Sequence, residues 1–196
     1  MKITRKRLRQ LIQEIARRSS LSDSGNYNAD SFVKWADSKM KSASKSSLLG
    51  QGFEIVEQSE SDGIRIVSYF NGEPCGYMFL SHILAGYKVA TVSVSELFRQ
   101  GGSKDPQFGI ASKMYEHAIQ NYQIYSGDSQ TTEARRMYVR LFKKYPGCME
   151  GVNVNTGEIF PLKIADDGSE LELDVPGMTA WTGPEVDNGI YFRFKK

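Results

Sequence analysis

The middle of the chain alternates apolar and polar residues with the period of two that a β-strand requires. Four segments of this region read as strands: FEIVEQS (53–59), IRIVSYF (64–70), CGYMFLSHIL (75–84) and YKVATVSVS (87–95). They are rich in β-branched or aromatic residues, as strands generally are. Asn71-Gly72 lies between the second and third segments and is a strong hairpin signal, because both residue types tolerate positive φ. The pattern predicts an antiparallel meander.

The period changes to that of a helix after ELFRQGGSKDPQ (96–107), which we expect to be a loop. In FGIASKMYEHAIQNY (108–122) one apolar stripe is formed by Ile110, Ala111, Met114, Tyr115 and Ala118. His117 lies off this stripe, so we expect it to be exposed. QIYSGD (123–128) follows and reads as a short strand.

The next helix is predicted from its end signals as well as from its period. Asp128 and Ser129 are residue types that cap a helix N-terminus, and Glu133 lies in the first turn. Pro146-Gly147 then stop the helix. Its core stripe is Ala134, Met137, Tyr138, Leu141, Phe142 and Tyr145.

Further strands are predicted in the tail. CMEGVNVNTGEIFPLKI (148–164), ELELDV (170–175) and GIYFRFK (189–195) carry strand patterns, and Asn155-Thr156-Gly157 suits a hairpin turn. We therefore expect an α/β fold of the α+β kind, with a mixed, mostly antiparallel central sheet flanked by helices.

The N-terminal segment 1–29 has a different character. MKITRKRLRQLIQEIARR combines seven Lys and Arg residues with one Glu, and its Leu and Ile residues recur at helical spacing. It predicts a basic amphipathic helix, followed by a linker rich in Ser, Gly and Asn. The helix could contact nucleic acid or a membrane surface, act as an address, or pack its apolar stripe on the protein with its cations in water. Its opening MKIT is similar to leaders on proteins encoded by tailed bacteriophages.

Residues 30–196 are expected to form one domain. Its first helix should begin at Asp30, with Phe32, Trp35, Ala36 and Met40 on one apolar face. It should end where the irregular segment KSASKSSLLGQG (41–52) begins.

Composition narrows the function classes. Of the 196 residues 40% are hydrophobic and 24% are charged, and the formal net charge is +2, which is typical of an ordinary soluble globular protein. No apolar run approaches the roughly 20 residues of a membrane span. Cys75 and Cys148 have no second Cys or His at metal-ligand spacing, so we expect no metal site. We expect both thiols to be reduced, as in a cytoplasmic protein. A phage-encoded protein would be in the host cytoplasm or in the virion.

Three stretches resemble one known family. SYFNGEPCGYMFL is similar to a pair of strands joined by a short turn, FGIASKMYEHAI to the second half of a pyrophosphate-binding motif, and IYSGDSQTTEARRMYVRLFKK to a strand and helix in which Ala, three variable residues and Tyr recur. Together residues 64–161 resemble the GNAT superfamily, whose members transfer an acetyl group from acetyl-CoA to an amine. The resemblance implies a GNAT-like sheet with acetyl-CoA as co-substrate.

A pyrophosphate site would lie at the start of the helix that follows the loop. A helix N-terminus offers unpaired N–H groups, and Gly109 lets an anion approach without a Cβ in the way. The resemblance assigns cofactor binding to Gln107, Phe108, Gly109, Ile110, Ala111 and Ala134. Lys104 or Lys113 could supply a cation. Pro106 stands where the family usually has Arg or Gln. One phosphate contact is therefore either absent or made by the neighbouring Gln107. The alternative is a small-residue helix start packed on the sheet.

Acyl transfer gives Tyr138 a definite task. The departing CoA sulfur needs a proton, and a phenol with a pKa of about 10 can donate one. Tyr138 follows Ala134 by four residues, as the family's acid does. Alternatively, Tyr138 is a core residue whose hydroxyl finds a hydrogen-bond partner.

Glu96 is our choice for the general base, because members of the family hold a carboxylate near the amine at that place. Glu73 and His82 are alternatives from the hairpin. The sequence leaves two functions open: an N-acetyltransferase with an unknown amine acceptor, or a phage-encoded protein of GNAT fold that binds a macromolecular partner without catalysis.

Overall fold

The computed structural model describes residues 29–40, 45–50, 52–84, 86–95, 98, 109–127, 131–175 and 189–195. The predicted leader helix lies outside these residues. In chain order the described elements are α1 (Ala29–Ser38), β1 (Lys45–Gly50), β2 (Phe53–Glu60), β3 (Gly63–Phe70), β4 (Glu73–Ile83), β5 (Gly86–Val94), α2 (Ile110–Asn121), β6 (Ile124–Tyr125), α3 (Thr132–Lys144), β7 (Met149–Asn153), β8 (Ile159–Phe160), β9 (Leu162–Ile164), β10 (Leu171–Leu173) and β11 (Ile190–Phe194).

Nine of these strands form one sheet in the order β1-β2-β3-β4-β5-β6-β11-β7-β8, and β9 and β10 form a separate pair. Every neighbouring pair among the described strands is antiparallel except β5 and β6, which are parallel. The predicted mixed, mostly antiparallel sheet with helices is confirmed.

The meander β2–β5 forms as predicted. Asn71 and Gly72 have φ values of 51° and 81°, as a type I′ turn requires, and they connect β3 to β4 where Phe70 pairs with Glu73. Along β3, Ile64 and Ile66 enter the large core, whereas Val67 points to the opposite face. The adjacent apolar residues Ile66 and Val67 break strict alternation, so β3 supplies apolar residues to both faces of the sheet.

Helices α2 and α3 cover one face of the sheet and α1 covers the other. Helix α2 lies close to the sheet at Gly76 of β4, where an added Cβ would lie 2.6 Å from Cγ2 of Ile110 and from Oγ of Ser68. A side chain at this position would push the start of α2 off the sheet. Gly76 thus fixes how deeply α2 sits.

The predicted apolar face of the first helix is correct only in part: Met40 packs against the cluster of Val33, Val67 and Tyr77 as predicted, but Trp35 is not buried. Val33 is fully buried, whereas Trp35 is 47% exposed. Asp37 also faces the sheet, where its carboxylate accepts a hydrogen bond from the Tyr69 hydroxyl. A charged residue on the buried side of α1 breaks the apolar period, which explains why the predicted apolar face is wrong at Trp35. The side chains of Phe32 and Ala36 lie outside the described residues.

Two further expectations are wrong. The segment 41–52 is predicted to be irregular, but its residues 45–50 form β1 and pair with β2, because an edge strand can take its hydrogen bonds from a neighbour despite a Ser-rich sequence. Helix α3 begins later than its cap-type residues suggest: Thr131 is its N-cap, and the Thr131 Oγ1 accepts a hydrogen bond from the Ala134 N–H at 3.2 Å. Asp128 and Ser129 lie outside the described residues.

His117 is buried, not exposed as its place beside the apolar stripe predicts. Its Nε2 lies 3.0 Å from Oε2 of Glu57 on β2. The Tyr122 hydroxyl also bonds to Glu57, and burial together with this bond raises the pKa of Tyr122. A polar contact thus ties the second half of α2 to the sheet.

The two histidines of the chain give a matched test of this contact. We expect His117→Leu to lower the free energy of unfolding by about 1–3 kcal/mol, because it leaves the nearly buried Glu57 carboxylate with one partner fewer. His82→Leu changes an exposed side chain and should stay within about 0.5 kcal/mol of the wild type. Urea denaturation measures both. Equal stability of the two variants would contradict a stabilising role for the Glu57–His117 contact.

Candidate functional site

The parallel pair β5–β6 creates the candidate site. Its ladder covers two residue pairs, Tyr87 with Ile124 and Lys88 with Tyr125, and β5 then continues to Val94. Among the described residues, no strand pairs with residues 89–93 of β5 on the side that faces β6. Ligands of sheets with parallel strands bind outside the carboxyl ends of the strands, where neighbouring connections separate. The carboxyl half of β5 is such a place.

A β-bulge lies where the parallel pairing stops. Leu80 of β4 pairs with Val89, but the next pair is Phe79 with Thr91, so that Ala90 is an extra residue in β5. A bulge bends its strand and increases the local twist, and bulges are frequent beside active sites. Here the bulge lies two residues after the last residue of β5 that pairs with β6.

The start of α2 lies at this end of the sheet. Ile110 packs above Gly76, which pairs with Val94 near the end of β5. Gly109 is exposed and makes no side-chain capping bond, and an added Cβ would meet Oγ of Ser112 at 3.3 Å. No side-chain cap is therefore present at the N-cap residue of α2, and helix N-termini without such a cap can bind anions.

Three of the predicted cofactor residues are brought together at this helix start: Gly109 is exposed, Ala111 half-buried and Ile110 buried. Gln107 and Phe108 lie outside the described residues, as do Glu96, Lys104 and Pro106. Lys113 places its Nζ 4.7 Å from the centre of the Phe53 ring, so its stem is packed on the sheet. Ala134 is on α3, where its N–H already donates to the Thr131 cap.

Tyr138 lies deep in the core, 1% exposed. Its hydroxyl is 3.1 Å from that of Tyr115 on α2, and either hydroxyl can donate. Its ring stacks on Phe194 with centroids 5.8 Å apart and meets Phe192 edge-on at 6.0 Å. Tyr138 therefore has the contacts expected of a core residue with a hydrogen-bond partner; its role as the proton donor stays a prediction.

Burial makes both phenols hard to ionise. It raises the pKa of Tyr115 to about 12 even though the bond with Tyr138 acts in the opposite direction, and burial together with Tyr115 raises the pKa of Tyr138 well above its ordinary value. The unfolded chain loses these protons from about pH 10. The stability that the neutral pair contributes is therefore full below about pH 10 and is lost as the pH rises toward 12.

The alternatives for the general base lie on the meander. Glu73 is exposed at the Asn71-Gly72 hairpin, and His82 is exposed near the opposite end of β4, where its ring lies 4.7 Å from that of Tyr87. Gly76, which packs under the start of α2, is closer in the strand to Glu73 than to His82. Of these two residues, Glu73 is thus the nearer to the candidate site along β4.

Sequence reasoning missed three polar residues that build the site's surroundings. Tyr115 was assigned to an apolar stripe without its hydroxyl contact. Ser126 is fully buried after β6, where its Oγ accepts a hydrogen bond from the Phe192 N–H at 3.1 Å. Glu57 is the nearly buried partner of His117. All three contacts join residues more than 20 positions apart, and local periodicity carries no signal for such pairs.

Neither a metal-binding cluster nor a membrane-spanning helix is found in the part of the chain that the structure describes. There, no group of three or more His, Cys, Asp or Glu side chains is arranged to hold a metal ion. No helix in the same residues has both the length and the apolar content needed to cross a bilayer.

Phenylalanine variants test the tyrosine pair. Tyr115→Phe and Tyr138→Phe each leave one buried hydroxyl unpaired, so each should lower the free energy of unfolding by about 1–3 kcal/mol, whereas the double variant should lose less than the sum. The double variant should also lose part of the wild-type decrease in stability between pH 10 and 12. Chemical denaturation at several pH values measures both effects. Strict additivity would mean that the two hydroxyls do not interact.

Comparison of the chain with protein-family models, with curated proteins and with solved structures found no match.

Proposed function

We propose that this protein is an acetyl-CoA-dependent N-acetyltransferase of GNAT type, with the pyrophosphate of the cofactor at the start of α2. The observation that carries the proposal is the β5–β6 pair. Its parallel ladder stops after two residue pairs, and the uncapped start of α2 lies at the same end of the sheet. An open strand side beside a helix N-terminus offers both polar backbone groups and an anion site.

The order of elements supports the proposal. The sequence predicts three strands, a loop, a helix, a strand, a helix and two strands, an order that resembles that of the family. In the structure β3, β4 and β5 are followed by α2, β6, α3, β7 and β8. The quoted hairpin corresponds to β3 and β4, and the quoted strand and helix correspond to β6 and α3. These are the same residues at which the sequence resembles the family.

The start of α2 suits a pyrophosphate chemically. Its first amides have no intrahelical acceptor, and the helix dipole favours negative charge at this end. Gly109 leaves room for phosphate oxygens to approach, and the Ser112 hydroxyl lies beside it as a further donor. We further propose that residues near the carboxyl end of β5, among them Glu96, bind the amine and act as the base.

The transfer itself needs two proton movements. The amine nitrogen attacks the thioester carbon, the carbon–sulfur bond breaks, the base takes the proton of the nitrogen, and the departing sulfur takes a proton from an acid. Tyr138 is our proposed acid. Its hydroxyl lies beside Tyr115, six residues after Gly109, or about 9 Å along the axis of α2. The thioester would have to reach this pair from the helix start.

One observation favours the second candidate function, a protein that keeps the fold and binds a partner without catalysis. Tyr138 is fully enclosed by Tyr115, Phe192 and Phe194. A phenol whose pKa is raised by burial gives up its proton less readily than an exposed one. In this alternative the basic N-terminal segment is the partner-binding element.

Acetyl-CoA binding tests the proposal directly. Calorimetric titration with acetyl-CoA should show micromolar binding, and ATP should bind more weakly. Gly109→Glu should lower the affinity at least about 100-fold, because it places a carboxylate at the pyrophosphate site. Gln120→Glu adds the same charge at the exposed far end of α2 and should bind as the wild type does.

Each contrary result has a definite meaning. An absence of binding at millimolar acetyl-CoA would reject the acetyltransferase proposal and favour the partner-binding protein. Equal losses in Gly109→Glu and Gln120→Glu would reject the start of α2 as the site, because charge in general would then explain the effect.

Turnover separates the two roles of Tyr138. With an amine that the enzyme accepts, Tyr138→Phe should lower kcat about 10²–10⁴-fold and leave acetyl-CoA affinity nearly unchanged, because it removes the acid but keeps the ring. Tyr115→Phe removes the same hydrogen bond and keeps the Tyr138 phenol, so its kcat should stay close to wild type. If Tyr138→Phe turns over at the wild-type rate, Tyr138 has no part in the chemistry.

A further inference from the structure

Helix α3 is strongly basic in a chain that is nearly neutral. Its 13 residues include five Arg and Lys residues and a single acid, Glu133. The whole chain has 25 basic and 23 acidic residues, and outside α3 and the basic N-terminal segment the acidic residues outnumber the basic ones. The positive charge of α3 is therefore a local feature and does not follow from a generally basic composition.

Three of the five cations form one exposed row, which we call the α3 stripe: Arg136, Arg140 and Lys143. At 3.6 residues per turn, their positions fall within about 60° of the helix circumference and about 10 Å of its length. The row lies on the outer side of the helix, away from the core residues Tyr138 and Leu141. Helix α3 therefore presents a compact line of cations to the solvent.

The other two cations of α3 pair with acids of the protein itself. Nη1 of Arg135 lies 2.6 Å from Oε2 of Glu170, and Nζ of Lys144 lies 2.7 Å from Oε1 of Glu116 on α2. By the helical period these two pairs lie on opposite sides of the α3 stripe. Within the described residues, no ion pair joins a member of the stripe to an acid. The protein thus neutralises the flanks of the helix and leaves its outer row charged.

The spacing of the stripe does not stabilise the helix. Arg136 and Arg140 are four residues apart, which places two like charges on neighbouring turns, and such pairs destabilise a helix. The helix dipole favours Lys143 in the last turn, but it gives no reason for a cation at position 136 in the first half. Helix stability therefore does not explain the stripe, whereas an anionic partner would relieve its repulsion.

We propose that the α3 stripe binds the phosphate backbone of a nucleic-acid duplex without reading its sequence. A duplex carries one negative charge per about 1.7 Å of its axis, so a row about 10 Å long faces about six phosphates. Two of the three cations are arginines, whose planar N–H groups match phosphate oxygens in pairs. The structure describes every residue of α3, and none of its exposed side chains is aromatic. Stacking on single-stranded bases needs such side chains, so a duplex is favoured.

Two other anionic partners suit the stripe less well. A helix that binds a membrane surface inserts its apolar side into the lipid, but the apolar side of α3 is buried in the core through Met137, Tyr138 and Leu141. Protein surfaces mix charges of both signs, so an acidic protein offers fewer charges along the row than a duplex does. The proposed surface is separate from the acetyl-CoA site at the start of α2 and does not depend on it.

Fluorescence anisotropy with a labelled DNA duplex of about 20 base pairs tests the proposal at several salt concentrations. The wild-type protein should bind the duplex saturably at about 50 mM salt. Arg136→Gln/Arg140→Gln should bind at least about tenfold more weakly and should lower the slope of log Kd against log salt concentration by about two, because two phosphate contacts are lost. Arg136→Lys/Arg140→Lys keeps both charges and should keep the wild-type slope.

Lys34→Gln/Lys39→Gln is the matched control. Both lysines are exposed, one on α1 and one directly after it, and α1 covers the opposite face of the sheet. This variant removes the same charge from the protein but leaves the α3 stripe intact. It should therefore keep the wild-type slope.

Four results would overturn the proposal. The first is an absence of saturable duplex binding by the wild-type protein. The second is an equal loss in the two glutamine variants, since total charge would then explain the effect. The third is an equal loss of slope in the lysine and glutamine variants of α3, which would mean that the charges are not the binding groups. The fourth is displacement of the duplex by polyglutamate or by phosphatidylserine vesicles as effectively as by unlabelled duplex, which would identify a different class of partner.

Discussion

The parallel pairing of β5 with β6 is the constraint on which the rest of the structure depends. Parallel neighbours cannot be joined by a tight turn, so the chain between them must cross the sheet, and α2 is that crossover. The crossover must lie close to the sheet, and Gly76 provides the space by having no Cβ under Ile110. On either side of this pair the sheet is antiparallel, so the connections separate here. The same constraint creates the open carboxyl half of β5 and the exposed start of α2.

Polar contacts inside the core decide how the helices sit on the sheet. Tyr115 joins α2 to α3 through Tyr138, and His117 joins α2 to β2 through Glu57. Apolar packing alone allows a helix to slide or rotate at small cost, whereas a buried donor without its acceptor is expensive. These pairs therefore select one position of α2 among several that would bury similar apolar area. Since the start of α2 is the proposed pyrophosphate site, its placement rests on contacts two turns further along the helix.

Most of the elements could be predicted from the sequence, because their signals are local. The meander follows from alternation and from Asn71-Gly72, and α3 follows from its period and from Pro146-Gly147. Failures occur where a distant partner decides the outcome: Ser-rich β1 forms by pairing with β2, Asp37 is on the sheet side of α1 because Tyr69 is there, and His117 is buried because Glu57 faces it. The site was predictable in part for the same reason. Gly109 at a helix start is a local signal, but the short β5–β6 ladder and the partner of Tyr138 are not.

Binding and catalysis place different demands on this fold. Pyrophosphate binding needs free amides at a rigid helix start, and the burial of α2 against β4 supplies the rigidity. Proton donation needs a phenol whose pKa is not far above that of the leaving group, and a thiol ordinarily ionises near pH 8.5. The burial that stabilises Tyr138 raises its pKa and so makes transfer to sulfur less favourable. Only contact with the bound thioester could offset this, by replacing Tyr115 as the partner of the hydroxyl. The two parts of the proposed function are therefore physically independent, and a chain of this fold can keep the first without the second.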